Sequence, residues 1–154
     1  MLAQNGIMRN SLKFIFFLLS GIVGIMLIYV IAKDTFTDKN TVFQEAVGYY
    51  DNRKYEAADQ LLQSEANKGN KEAYPYLGHT KLILGRPKEA EKYLLLSLEN
   101  LPKDDVETKK TVVMNLGSVY LNLHDYSKAK LFLTQAAALG DNYADELLIK
   151  YNLK

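Results

Sequence analysis

Cysteine and tryptophan are absent from the 154 residues, and histidine occurs only twice. Without cysteine there is no disulfide, no thiolate nucleophile and no sulfur-bound metal. The histidines, His79 and His124, stand 45 positions apart and form neither His-x-x-His nor His-Glu-x-x-His, so the usual ligand sets for zinc are missing. Neither sign of charge is in excess, with 19 Lys and Arg against 18 Asp and Glu. No basic stripe follows a phosphate backbone, which argues against nucleic acid as a partner. Nucleotide and hydrolase signatures are lacking too: there is no Walker loop and no G-x-S-x-G, and Ser97, Ser118 and Ser127 have no base beside them. Asp104 and Asp105 follow Pro102 and precede a helical stretch, where they offset the helix dipole rather than act as paired acids. The expectation is a protein that is not an enzyme, with no cofactor, metal or small-molecule substrate.

One long hydrophobic run is present. Phe14 to Ala32 holds nineteen uncharged residues, thirteen of them Phe, Ile, Leu or Val, between Lys13 and Lys33. As a helix it spans ~28 Å, close to the ~30 Å hydrocarbon core of a bilayer, and the run is longer than the core of a cleavable signal peptide. It is therefore expected to be a retained transmembrane helix in contact with lipid. The short tail 1–13 is basic through Arg9 and Lys13, whereas Lys33 and Lys39 are interleaved with Asp34 and Asp38. By the positive-inside rule this favours a cytoplasmic N-terminus with the rest of the chain on the other side. Residues 33–40 read as a short polar linker.

Beyond the linker the sequence repeats itself. Small residues recur at Ala46, Gly78 and Gly117, a second small set at Ala58, Ala90 and Ala129, and leucine at Leu62, Leu94 and Leu133. Each set steps by 32 and then 39 residues, while the spacings within a unit stay at 12 and 4. Fixed internal spacing with a variable step is the mark of a stacked array, and it places the length change in the loops between units. These residues, with Tyr74, Leu77 and Pro102 in the second unit and Tyr120 and Tyr126 in the third, resemble the tetratricopeptide repeat. The junctions around Gly69 and Gly140 look more like its Sel-like cousins. Lys81 departs from the pattern by standing where a tyrosine is usual, and Pro87 replaces another.

The resemblance implies an all-α fold in which three helix pairs stack as an α-solenoid behind the membrane helix. Start and stop signals predict helices over 41–51, 55–67, 71–84, 87–100, 105–122, 126–138 and 142–152. The units are 41–69, 71–102 and 105–140. Residues 142–152 form a seventh helix, with Tyr143, Leu147, Leu148 and Tyr151 expected to cover the last unit as a cap. Ala46, Ala58, Gly78, Ala90, Gly117 and Ala129 are the packing positions, since a small side chain is needed where two helices come closest.

The resemblance further implies a protein-binding groove on the inner helices. Carried across, it comprises Phe43, Val47, Tyr50 and Asp51 from unit one; Pro75, His79, Leu82 and Ile83 from unit two; and Met114, Ser118, Leu121 and Asn122 from unit three. Leu121 and Ile83 are the positions most suited to packing between units instead. The cationic clamp with which some relatives hold acidic peptide tails falls on Phe43, Val47, Tyr76, Thr111 and Asn115, none of them a cation, so acidic tails are not the expected ligand. The implied function is a membrane-anchored interaction module, an adaptor or assembly factor in an envelope complex. By analogy its place is the bacterial inner membrane. The alternative is a small accessory subunit built permanently into a larger membrane complex.

Overall fold

A computed structural model describes residues 19–30 and 41–154. Among these there are eight helices and no strand. The chain divides into two bodies near Thr41. The first includes a helical stretch over 19–30, whose large apolar side chains, Ile25 and Ile28 among them, are exposed all round. Twelve described residues make ~18 Å of helix. No described helix is long and apolar enough to cross a membrane. The remainder of the expected span 14–32, the basic tail and the linker 33–40 lie outside the described residues.

The second body holds seven helices: α1 (41–51), α2 (Tyr55–Asn67), α3 (Ala73–Ile83), α4 (Pro87–Asn100), α5 (Val106–Asn122), α6 (Tyr126–Ala138) and α7 (Asn142–Lys150). Predicted and observed helices agree to within two residues at either end. Pro87 opens α4, where a missing N–H costs no hydrogen bond. Asp105, Asp125 and Asp141 cap α5, α6 and α7 by accepting from the backbone N–H three residues on.

The first helix of every pair ends in the same way. Arg53, Gly85 and His124, again 32 and 39 residues apart, take φ values of 57°, 70° and 58°. In each turn the residue donates to a carbonyl three back and its successor to one five back, as in Arg53 to Tyr50 and Lys54 to Tyr49, so the last carbonyls of the helix are satisfied. His124 is thus a turn residue, held in a left-handed conformation that glycine adopts more easily.

Packing inside the pairs explains the small residues. A Cβ on Gly78 would lie 2.6 Å from Leu94 Cγ, and one on Gly117 would lie 2.5 Å from Leu133 Cδ2. Ala46, Ala58, Ala90 and Ala129 are fully buried, as are Leu62, Leu94 and Leu133. The core runs as two adjoining clusters, one around Ala46, Leu62 and Leu77, the other around Leu94, Leu116, Leu133 and Leu148.

Two expectations need correcting. The longer step between units two and three is not taken up in a loop, because 68–72 and 101–105 are both five-residue connections. Six of the seven extra residues lengthen the start of α5, which begins eleven residues before Gly117 where α3 begins five before Gly78. A helix can grow outward from a fixed packing point without disturbing it, so either solution keeps the stack. The seventh helix also buries fewer large side chains than expected. Ala144, Leu147 and Leu148 are buried, but Tyr143 and Tyr151 are 54% and 40% exposed. Positions 144, 147 and 148 make one stripe of a helix, while Tyr143 falls to its side and Tyr151 lies in the turn after α7.

Candidate interaction groove

The first helices of the three units, α1, α3 and α5, share one open groove of about 710 Å³, closed at one end by the C-terminus of α4 and the residues after it. One wall is aromatic. Phe43, Tyr50, Tyr76 and His79 meet edge to face with ring centroids 5.2 to 5.9 Å apart, and Pro75 continues the surface. Tyr50 shares a short hydrogen bond with His79 Nδ1, at 2.5 Å. Burial lowers the pKa of His79 and keeps the ring neutral, which leaves Nδ1 able to accept from the tyrosine. Burial also lifts the Tyr50 hydroxyl to about 12, helped by the nearby Tyr55, Tyr76 and Asp51.

The facing wall is polar and comes from Ser97, Asn100, Thr108, Thr111 and Asn115. Asn100 donates to Leu96 O and Thr111 to Glu107 O. Ser97, 2% exposed, has a hydroxyl that meets no hydrogen-bond partner in the protein. Thr108 and Thr111 are present because of the long start of α5, so the irregular step in the repeat supplies part of this wall.

Of the residues the resemblance assigned to a groove, Phe43, Tyr50, Pro75 and His79 come together here. The others do not. Val47 and Leu82 are half-buried against the core clusters, Leu121 is buried, and Asp51, Ile83 and Asn122 are exposed away from the groove lining. Met114 packs on the core and accepts the Ser118 hydroxyl at its sulfur, 3.6 Å away. The groove face of α5 lies one turn nearer its start, at Thr108, Thr111 and Asn115. The clamp positions identify the lining better, since Phe43, Tyr76, Thr111 and Asn115 all contribute.

Sequence reading also missed a repeated tie between neighbouring units. Asp59 and Glu91 each follow a packing alanine, and Lys81 and Tyr120 each stand three residues after a packing glycine. Tyr120 donates to Glu91 Oε1 at 2.7 Å, and Lys81 Nζ lies 2.9 Å from Asp59 and 3.1 Å from Glu89, with Arg86 also on Asp59. Burial works against the charge on Lys81, but its hydrogen bonds to Asp59 and Glu89 outweigh this and raise its pKa. Lys81 is therefore a tyrosine equivalent with its own acid. The shared offsets from Ala58 and Ala90 and from Gly78 and Gly117 were the signal available in the sequence.

No described group of three His, Asp or Glu residues is arranged to hold a metal ion. Among families of known proteins, residues 111–139 match the tetratricopeptide repeat. The matched stretch covers most of α5 and all of α6, the third helix pair. A comparison with curated proteins gives no match. The family match and the repeated helix pairs together support a protein of the tetratricopeptide type, a class whose repeats generally mediate contacts between proteins.

Proposed function

We propose that the chain is a membrane-tethered module that binds another protein in the groove of α1, α3 and α5. The aromatic wall carries this reading: half-buried Tyr50, Tyr76 and His79, with buried Phe43 edge-on to Tyr76 and Pro75 beside them, line one groove from two successive units, and such concentrations of aromatic surface mark binding sites more often than idle surface. The role is binding rather than catalysis, since His79 is engaged by Tyr50 and His124 is a turn residue.

Tethering rests on the sequence run Phe14 to Ala32 and on the exposed apolar circumference of 19–30. A helix apolar on every side is at home in a protein core or in lipid, not in water. We place the repeats on the side of the membrane away from the basic N-terminus, as part of an envelope complex.

The test is photo-crosslinking in native membranes from a probe introduced at Thr111, an exposed position in the groove. A defined partner band that is lost in Tyr50→Ala/Tyr76→Ala, with the melting curve retained, supports the groove. Bands from a probe at Lys130, on the outer helix α6, that persist in that variant would move the site to the convex face. Truncated hot-spot side chains cost ~2 kcal/mol or more of binding energy, a loss of roughly thirtyfold in affinity. Protease added to intact spheroplasts should digest the repeats; protection there would reverse the orientation.

A further inference from the structure

We infer that the groove takes a peptide segment in which an arginine or lysine stands next to an apolar or aromatic residue. The inference rests on the groove being the binding site and adds the chemistry of its occupant. Four of the lining residues are charged, and three of them, Glu72, Asp105 and Glu107, are carboxylates, of which Glu107 also pairs with Lys110 at 2.8 Å. Lys71 is the single cation.

The helix ends reinforce the sign. The C-terminal turn of α4 closes the groove with its negative dipole end, and its last carbonyls are only partly used, by Leu101 N–H and the Asn100 amide. At the opposing N-terminus of α5 the carboxylate of Asp105 already takes up the Thr108 N–H, which offsets part of the positive end of that helix. Where the resemblance places a clamp of lysine, asparagine and arginine, this chain has Phe43, Val47, Tyr76, Thr111 and Asn115, none of them a cation. Aromatic faces beside carboxylates suit a cation, which is drawn to the ring face while its head group reaches the acids. The apolar neighbour of that cation fills the surface around Pro75 and Tyr76.

Short random peptides displayed on phage, panned against the full-length chain in a neutral detergent, supply the probe. Selected peptides are expected to carry Arg or Lys beside a Leu, Phe or similar residue. Resynthesised and labelled, they should bind about ten-fold more weakly by fluorescence anisotropy when that Arg is replaced by Gln, or when the protein carries Glu72→Gln and Glu107→Gln. Thr111→Arg should weaken binding at least as much, and raising salt to about 0.5 M should shrink the difference. Selection of neutral or acidic peptides, or indifference to the two glutamines, overturns the inference while leaving the groove reading intact, provided that Tyr50→Ala/Tyr76→Ala still abolishes binding. Peptides whose affinity ignores Tyr50→Ala/Tyr76→Ala and Thr111→Arg alike bind elsewhere, and both readings then fall.

Discussion

A single glycine hydrogen sets the distance between α3 and α4. The nearest atoms to a Cβ at position 78 belong to Leu94, which is fully buried and has nowhere to go. Gly78→Ala gains ~1 kcal/mol of helix propensity yet should lose ~1 to 3 kcal/mol to overpacking, for a net fall in stability on urea melting. In a double-mutant cycle, Gly78→Ala should be less harmful in a Leu94→Ala background, and additivity would show that the two do not meet. Arg53 and His124 are the opposite case, bulky residues where the backbone favours glycine. Replacing either with glycine should raise the melting temperature, by up to ~1 kcal/mol in stability.

Titration is also a residue-scale matter. In the folded chain Lys81, Tyr50 and Tyr120 hold their protons to higher pH than they would when unfolded. The unfolded chain releases these protons near pH 10, so stability should decline from about pH 10 upward, through about 12 for Tyr50. His79 has the reverse sign. Its lowered pKa means that the unfolded chain takes up the proton first, and stability should fall as pH drops below about 6.5. Thermal melts between pH 5 and pH 7, compared with His79→Gln, would show whether that acid limb belongs to this ring.

At the scale of helices, the tie from Asp59 to Lys81 and from Glu91 to Tyr120 holds one unit to the next. Lys81→Met leaves the Asp59 carboxylate half-stranded in a buried place and should destabilise by ~3 kcal/mol, since one partner of a buried pair is removed. Lys81→Tyr restores the residue that unit three uses and should cost less than Lys81→Met in chemical denaturation. Equal losses would mean that the two ties are not equivalent. The helices themselves were legible from the sequence because their determinants are local: the caps Asp105, Asp125 and Asp141, the positive-φ Gly85 and Gly140, and a leucine sixteen residues after each packing glycine. The groove face of α5 was not legible. Carrying it over by the offsets from Gly78 passed over the added start of α5, where Thr108 and Thr111, with Asn115 about a turn further on, line the groove in place of Met114 and Ser118. Tyr143 misled for a simpler reason. Its size suggested a core residue, but one helical step from Ala144 carries it off the buried stripe.

For the molecule as a whole, α7 packs on α6, the second helix of the third pair. Leu147 and Leu148 are its buried leucines, each worth ~1.5 to 3 kcal/mol in transfer terms before entropy. Deleting 141–154 should therefore lower the melting temperature or cause aggregation by uncovering α6, and an unchanged melt would remove the cap assignment. Two leucines rather than four large side chains make the expected loss modest. Ile149, 64% exposed, falls seventy-one residues after Gly78, as Leu148 does after Leu77 and Ala144 after Ala73. A branched side chain stands there instead of the glycine that lets α3 approach Leu94 closely.

The lengthened start of α5 makes the order of the units matter. A stack assembled only from its packing residues has interchangeable parts, and its copies can be duplicated, deleted or shuffled with little loss beyond stability. Here the residues that keep the stack together and those that line the polar side of the groove are on different portions of α5, and α3 lacks the second portion. Putting unit two in the place of unit three would preserve Gly78, Leu94 and the close approach they serve, and would still erase one side of the groove. The groove therefore belongs to the arrangement of unlike copies, and not to any one of them.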